Sequence, residues 1–135
     1  MVDTKLLSAW CHFPIFLGPF LPLFVLVFYN KDPKLVLNAK QALVWQVLAM
    51  GVNFALGILM MVASLVLMPI IMLLGGVGGI LGGLIGLLVT MGGSLILMGV
   101  YFIVIAAFGF MMIYAAFKAY NTGEYRYPII GKLIN

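Results

Sequence analysis

Between Gln41 and Phe117 the chain has no Asp, Glu, Lys, Arg or His, a run of 77 residues without one ionisable side chain. That absence excludes a water-soluble domain, because the surface of a 135-residue fold would need more ionisable groups than the rest of the chain supplies. Acids are scarce as well: Asp3, Asp32 and Glu124 are the only three, all at the edges of apolar stretches. No carboxylate pair or His-oriented triad can be drawn from them, so no catalytic residue and no enzymatic activity are expected. The single cysteine, Cys11, excludes an internal disulfide. The single histidine, His12, has no companion ligand near it in sequence, so no metal site is expected. With no acid inside the apolar run, a proton-carrying rotor subunit is excluded too.

What is present points to lipid. Hydrophobic residues make up 66% of the chain, charged residues 7%, and the mean hydropathy is +1.29. Soluble domains are about half apolar and about a quarter charged. The net charge of +4 comes from Lys5, Lys31, Lys34, Lys40, Lys118, Arg126 and Lys132, each just outside an apolar stretch. This placement suits anchoring to anionic headgroups and gives no groove for nucleic acid. Trp10, Tyr29, Trp45, Tyr120, Tyr125, Arg126 and Tyr127 fall near the expected boundaries and are assigned to the membrane interface.

A bilayer-spanning helix takes about 20 apolar residues. The fold class expected is therefore all-α, a polytopic integral membrane bundle in one domain, with four transmembrane helices at 6–29, 35–68, 70–91 and 94–119. The first stretch is too long for a secretory h-region and lacks a small-x-small site, so it reads as a retained helix. Pro14, Pro19 and Pro22 kink it, and a re-entrant segment leaving three crossings is the alternative. Pro69 and the Gly92–Gly93 pair mark the later breaks. Four crossings divide the basic residues four against three, which sets no orientation. If the glycine-rich stretch does not cross, six of the seven share one side, at the cost of parking a long apolar segment elsewhere.

Two faces stand out. Gly75, Gly79, Gly82 and Gly86 step by three or four, with Gly83 beside them, and make a packing stripe if they share one helix. The stripe serves packing within the chain, self-association around a path, or a flexible break. Asn38, Gln41, Trp45, Gln46 and Asn53 share an arc of about 140° on the second helix. Those amides, with Lys40 snorkelling between them, form interhelical hydrogen bonds or a partner-facing or lumen-facing surface.

Asn38-Ala39-Lys40-Gln41-Ala42-Leu43, after a Lys/Asp/Pro turn, resembles a His-Ala-Lys-Gln-Ala-Leu-like segment of a widespread group of small, uncharacterised prokaryotic membrane proteins. The tail from Ala119 through Gly123, Tyr125, Pro128 and Gly131 to Lys132 resembles the Ala-x-x-Gly-x-x-Tyr-x-x-Pro-x-x-Gly ending of the same group. These proteins are similar to the small four-helix component of the chloroplast inner-envelope protein translocon. The resemblance implies a multi-pass protein of a prokaryotic cytoplasmic membrane that takes part in protein import or a larger assembly. Asn38 stands where that group often has histidine, which removes a titratable group. The expected function is a non-enzymatic subunit or assembly partner of a membrane complex; the alternative is a homo-oligomeric glycine-zipper pore. Expected partners are lipid and either other membrane subunits or further copies of the chain. No cofactor is expected beyond bound lipid, with pigment and quinone left open.

Overall fold

The computed structural model describes residues 3–13, 18–128 and 130–132, with Leu74 described by its backbone alone. All regular structure among them is helical: α1 (Thr4–His12), α2 (Phe20–Phe28), α3 (Pro33–Thr122) and a short 3-10 turn at Ile130–Lys132. The chain divides into two compact units, a terminal unit of Met1–Gly51 with Ala107–Asn135 and a central unit of Val52–Ala106. All seven basic and all three acidic residues fall in the terminal unit, and the central unit has none.

Helix α3 has 90 residues and one break, at Gly79, whose φ of 59° and ψ of −142° lie where only glycine is comfortable. The break turns the chain back on itself. A Cβ added to Gly75 would lie 3.8 Å from the Cα of Gly83, and one added to Gly86 would lie 3.0 Å from the Ile71 Cγ2. Residue 75 thus faces 83 and residue 71 faces 86, the pairing of an antiparallel hairpin centred at Gly79. The glycines expected to line a single helix are divided between two arms, where they let backbones approach across a tight turn. Gly82 lies half-buried in the second arm.

The breaks expected at Pro69 and at Gly92–Gly93 are absent; helix runs through both. Proline removes one intrahelical bond and glycine costs about 1 kcal/mol, but leaving the helix in hydrocarbon would strand several backbone groups at several kcal/mol each. Among the described residues two stretches are long and apolar enough to cross a membrane, Pro33–Leu73 and Gly75–Thr122. Most large apolar side chains of the central unit point outward, with Val77 and Ile80 each 86% exposed. Such a surface suits lipid and not water.

Among the described residues of 6–29 there are two short helices in place of one long one. Helices α1 and α2 have nine residues each, about 13 Å at 1.5 Å per residue, against a hydrocarbon core of about 30 Å. They pack against each other, and the expected kink residue Pro14 lies outside the described residues. Pro22 is tolerated because it sits in the first turn of α2, where backbone donors have no intrahelical partner. Both helices turn apolar residues outward, Leu6 and Trp10 from the first, with Phe13 just past its end, and Phe20, Phe24 and Val27 from the second.

Helix starts and stops follow local chemistry. Asp3 caps α1 by accepting from the Lys5 and Leu6 amides. Asp32 caps α3 through the Lys34 and Leu35 amides, with Pro33 at the first helical position. Gly123, at φ 75°, ends α3 and donates to the Ala119 carbonyl.

Candidate functional site

Two buried clusters form the core of the terminal unit. Cys11, Val25, Leu35, Ala39 and Ala42 make one; Trp45, Ala49, Met112, Ala115, Ala119, Tyr125, Tyr127 and Ile130 make the other. Four of the alanines, Ala39, Ala42, Ala115 and Ala119, are fully buried, and their small side chains leave room for the groups packed over them.

The amide face of α3 closes on the tail. Asn38 donates from Nδ2 to the Gly123 carbonyl (3.0 Å) and accepts the Tyr125 amide at Oδ1 (2.9 Å). Gln41 Oε1 accepts the Tyr127 amide at 2.9 Å. In extended backbone the amides of residues two apart point the same way, so two side chains one helical turn apart can hold Tyr125 and Tyr127 together. Gln46 donates from Nε2 to the Cys11 carbonyl at 3.0 Å, which ties the end of α1 to α3. Asn38 and Gln41 are fully buried and Gln46 is 4% exposed, so these amides serve contacts within the chain. Lys40 is exposed, and Asn53 belongs to the central unit, where it is half-buried.

The tail carries an aromatic nest. Tyr127 stacks on Trp45 with ring centres 4.6 Å apart and planes at 11°, and meets Tyr125 edge-on at 4.9 Å. The Tyr127 hydroxyl lies 3.1 Å from His12 Nδ1. Of the residues assigned to the interface, Trp10, Tyr29, Tyr120 and Arg126 are exposed, whereas Trp45, Tyr125 and Tyr127 belong to the core. Arg126 pairs with Glu124 at 2.9 Å on the surface, a contact of little energy.

Burial lowers the His12 pKa to about 4, with the nearby Asn38 amide opposing slightly, so the ring is neutral at neutral pH. Burial likewise pushes the Cys11 thiol up to about 12 and raises the Tyr127 phenol. None of the three is prepared for nucleophilic work at neutral pH. His12 Nε2, Gln41 Nε2, Trp45 Nε1 and Gln46 Oε1 are buried without a partner among the described residues. No three potential metal-ligating residues group together among the described residues.

Sequence reasoning finds the amide face but not its ligand. The pairing of His12 with Tyr127 spans 115 positions, and no local pattern announces it. The buried alanines Ala39, Ala42, Ala115 and Ala119 are the one signal that both arms are closely covered here.

Residues 3–134 match the MamF/MmsF family, described as the magnetosome magnetite crystal formation protein family, and the chain belongs to it. The small prokaryotic membrane protein expected from the two motifs is therefore a member of a magnetosome family; the match carries nothing about a translocon. No curated protein and no solved structure matches the chain.

Proposed function

We propose that this member of the magnetosome magnetite crystal formation family serves crystal formation as a non-enzymatic assembly protein of the magnetosome membrane. In this reading α3 crosses the bilayer twice as a hairpin, and the terminal unit lies at one face. The observation that carries it is the charge partition: ten charged residues in one unit and none in the other, along two arms each longer than a bilayer requires. Two crossings place all seven basic residues on one side, a cleaner positive-inside pattern than four crossings allow. With three acids, one histidine and one cysteine in the whole chain, iron ligation is a poor basis for its role. The outward apolar faces of the hairpin are the surfaces for lipid, for further copies of the chain and for other membrane subunits. Neither protein transport nor a pore draws support from the family match.

Complementation tests the reading. In magnetite-forming cells lacking the chain, the wild type restores crystal dimensions in electron micrographs, and Leu84→Lys, which puts a charge on the outward face of the hairpin, does not. Full restoration by a hairpin that cannot insert would refute it. Blue-native electrophoresis after mild extraction adds the assembly test, a lone monomer counting against the proposal.

A further inference from the structure

A hollow of about 200 Å³ opens in the terminal unit where the first turns of α1 and α3 meet the end of α3. Lys5, Ser8, Asp32 and Lys34 line it, with Thr4 and Thr122 at its margin. Ser8 as a residue is 2% exposed, lines the hollow, and has no hydrogen-bond partner among the described residues. A serine inside a helix ordinarily returns its hydroxyl to the carbonyl four residues earlier, as Ser64 does to Met60. Ser8 keeps its donor for something else. Neither Lys5 nor Lys34 stands within ion-pair distance of a carboxylate among the described residues. Asp32 spends Oδ1 on the cap of α3, and no bond occupies its second oxygen.

We infer that this hollow binds a phosphoethanolamine headgroup, with the phosphate on Lys5, Lys34 and the Ser8 hydroxyl and the primary ammonium on Asp32. The charges choose the class. Two ammonium groups and one buried hydroxyl suit a phosphodiester. A purely anionic headgroup would leave the Asp32 carboxylate facing it without a cation. A choline group is bulkier and has no N–H to donate to that carboxylate. A phosphate linked to a primary amine satisfies both ends.

The inference rests on the terminal unit lying at a membrane face, which carbonate extraction of the full chain reports separately. The binding test is native mass spectrometry of the detergent-solubilised chain with short-chain phosphatidylethanolamine, phosphatidylcholine and phosphatidylglycerol. Phosphatidylethanolamine is expected to bind about tenfold more tightly than either rival, the factor one charge-assisted hydrogen bond supplies. Ser8→Ala and Lys34→Gln should weaken it severalfold while the tryptophan emission spectrum stays that of the wild type. Asp32→Asn, which keeps the helix cap, should abolish the preference over phosphatidylcholine. Soluble phosphoethanolamine competing at equal concentration would uphold the site and make the free compound its source; failure to compete makes the source the lipid. Equal binding of all three lipids, or binding unchanged by Ser8→Ala and Lys34→Gln, would overturn the inference, and a chain released by carbonate would overturn the membrane reading instead.

Discussion

Replacing Asn38 by leucine keeps the branched shape of the side chain and removes the group that holds the tail. Two backbone partners lose their bonds: the Tyr125 amide, which is buried, and the Gly123 carbonyl, which is only partly so. An orphaned buried donor costs about 1–3 kcal/mol and a partly hydrated acceptor about 1 kcal/mol, so Asn38→Leu should destabilise the docked tail by about 2–4 kcal/mol. The population of the undocked tail then rises by roughly 30- to 1,000-fold. Trypsin reads that population, because Arg126 lies between the two clamped tyrosines and the bond after it is cut only when the segment opens. Time-resolved mass spectrometry of the chain in detergent micelles should show cleavage after Arg126 accelerated by at least an order of magnitude in Asn38→Leu. Gln41→Leu should have a smaller effect, since Gln41 makes one bond to the tail while its own Nε2 is buried unpaired, and removing that donor returns part of the loss. Cleavage after Arg126 at wild-type rate in a folded Asn38→Leu chain would refute the clamp.

Acid should loosen the terminal unit through His12. Its folded pKa of about 4 lies below the ordinary 6.5, so the unfolded state takes the proton first. Stability is fully present above about pH 6.5 and falls by up to about 3 kcal/mol as pH drops to about 4; thermal melts in micelles at the two ends check this, and His12→Phe should flatten the dependence. Gly79→Val should cost about 1–3 kcal/mol from backbone strain alone, because its φ of 59° with ψ of −142° excludes a β-branched residue. A melt unchanged from wild type would contradict it. Gly86→Ala, whose new methyl meets Ile71 Cγ2 at 3.0 Å, should lower the melting temperature relative to Gly57→Ala, whose methyl meets nothing within 4 Å.

The solvent was readable from the sequence at once, because a run of 77 residues without charge has one physical interpretation. The expected bounds at 35 and 119 fall a few residues inside α3, whose ends are set by the Asp32 cap before Pro33 and by Gly123. The interior of α3 was not legible, since Pro69 and the Gly92–Gly93 pair are breakers in water but cost less than exposed backbone in hydrocarbon. Periodicity put the glycines on one helix face, whereas a single positive φ at Gly79 folds that face into a turn. The amide arc of Asn38, Gln41 and Gln46 was visible, and so was the tail motif. That the first holds the second is a contact across more than 80 residues, outside the reach of any local pattern. The same gap hides the mutual packing of Trp45, Tyr125 and Tyr127, which the sequence shows only as separate aromatics.

Cysteine labelling of the hairpin from each side of a sealed vesicle reports whether α3 crosses the bilayer twice. In a Cys11→Ala background, Lys31→Cys, Asn121→Cys and Ile80→Cys are exposed to a membrane-impermeant maleimide. Positions 31 and 121 are expected to react from one common side and position 80 only from the other. Reaction of position 80 from the same side as 31 and 121 would contradict the double crossing.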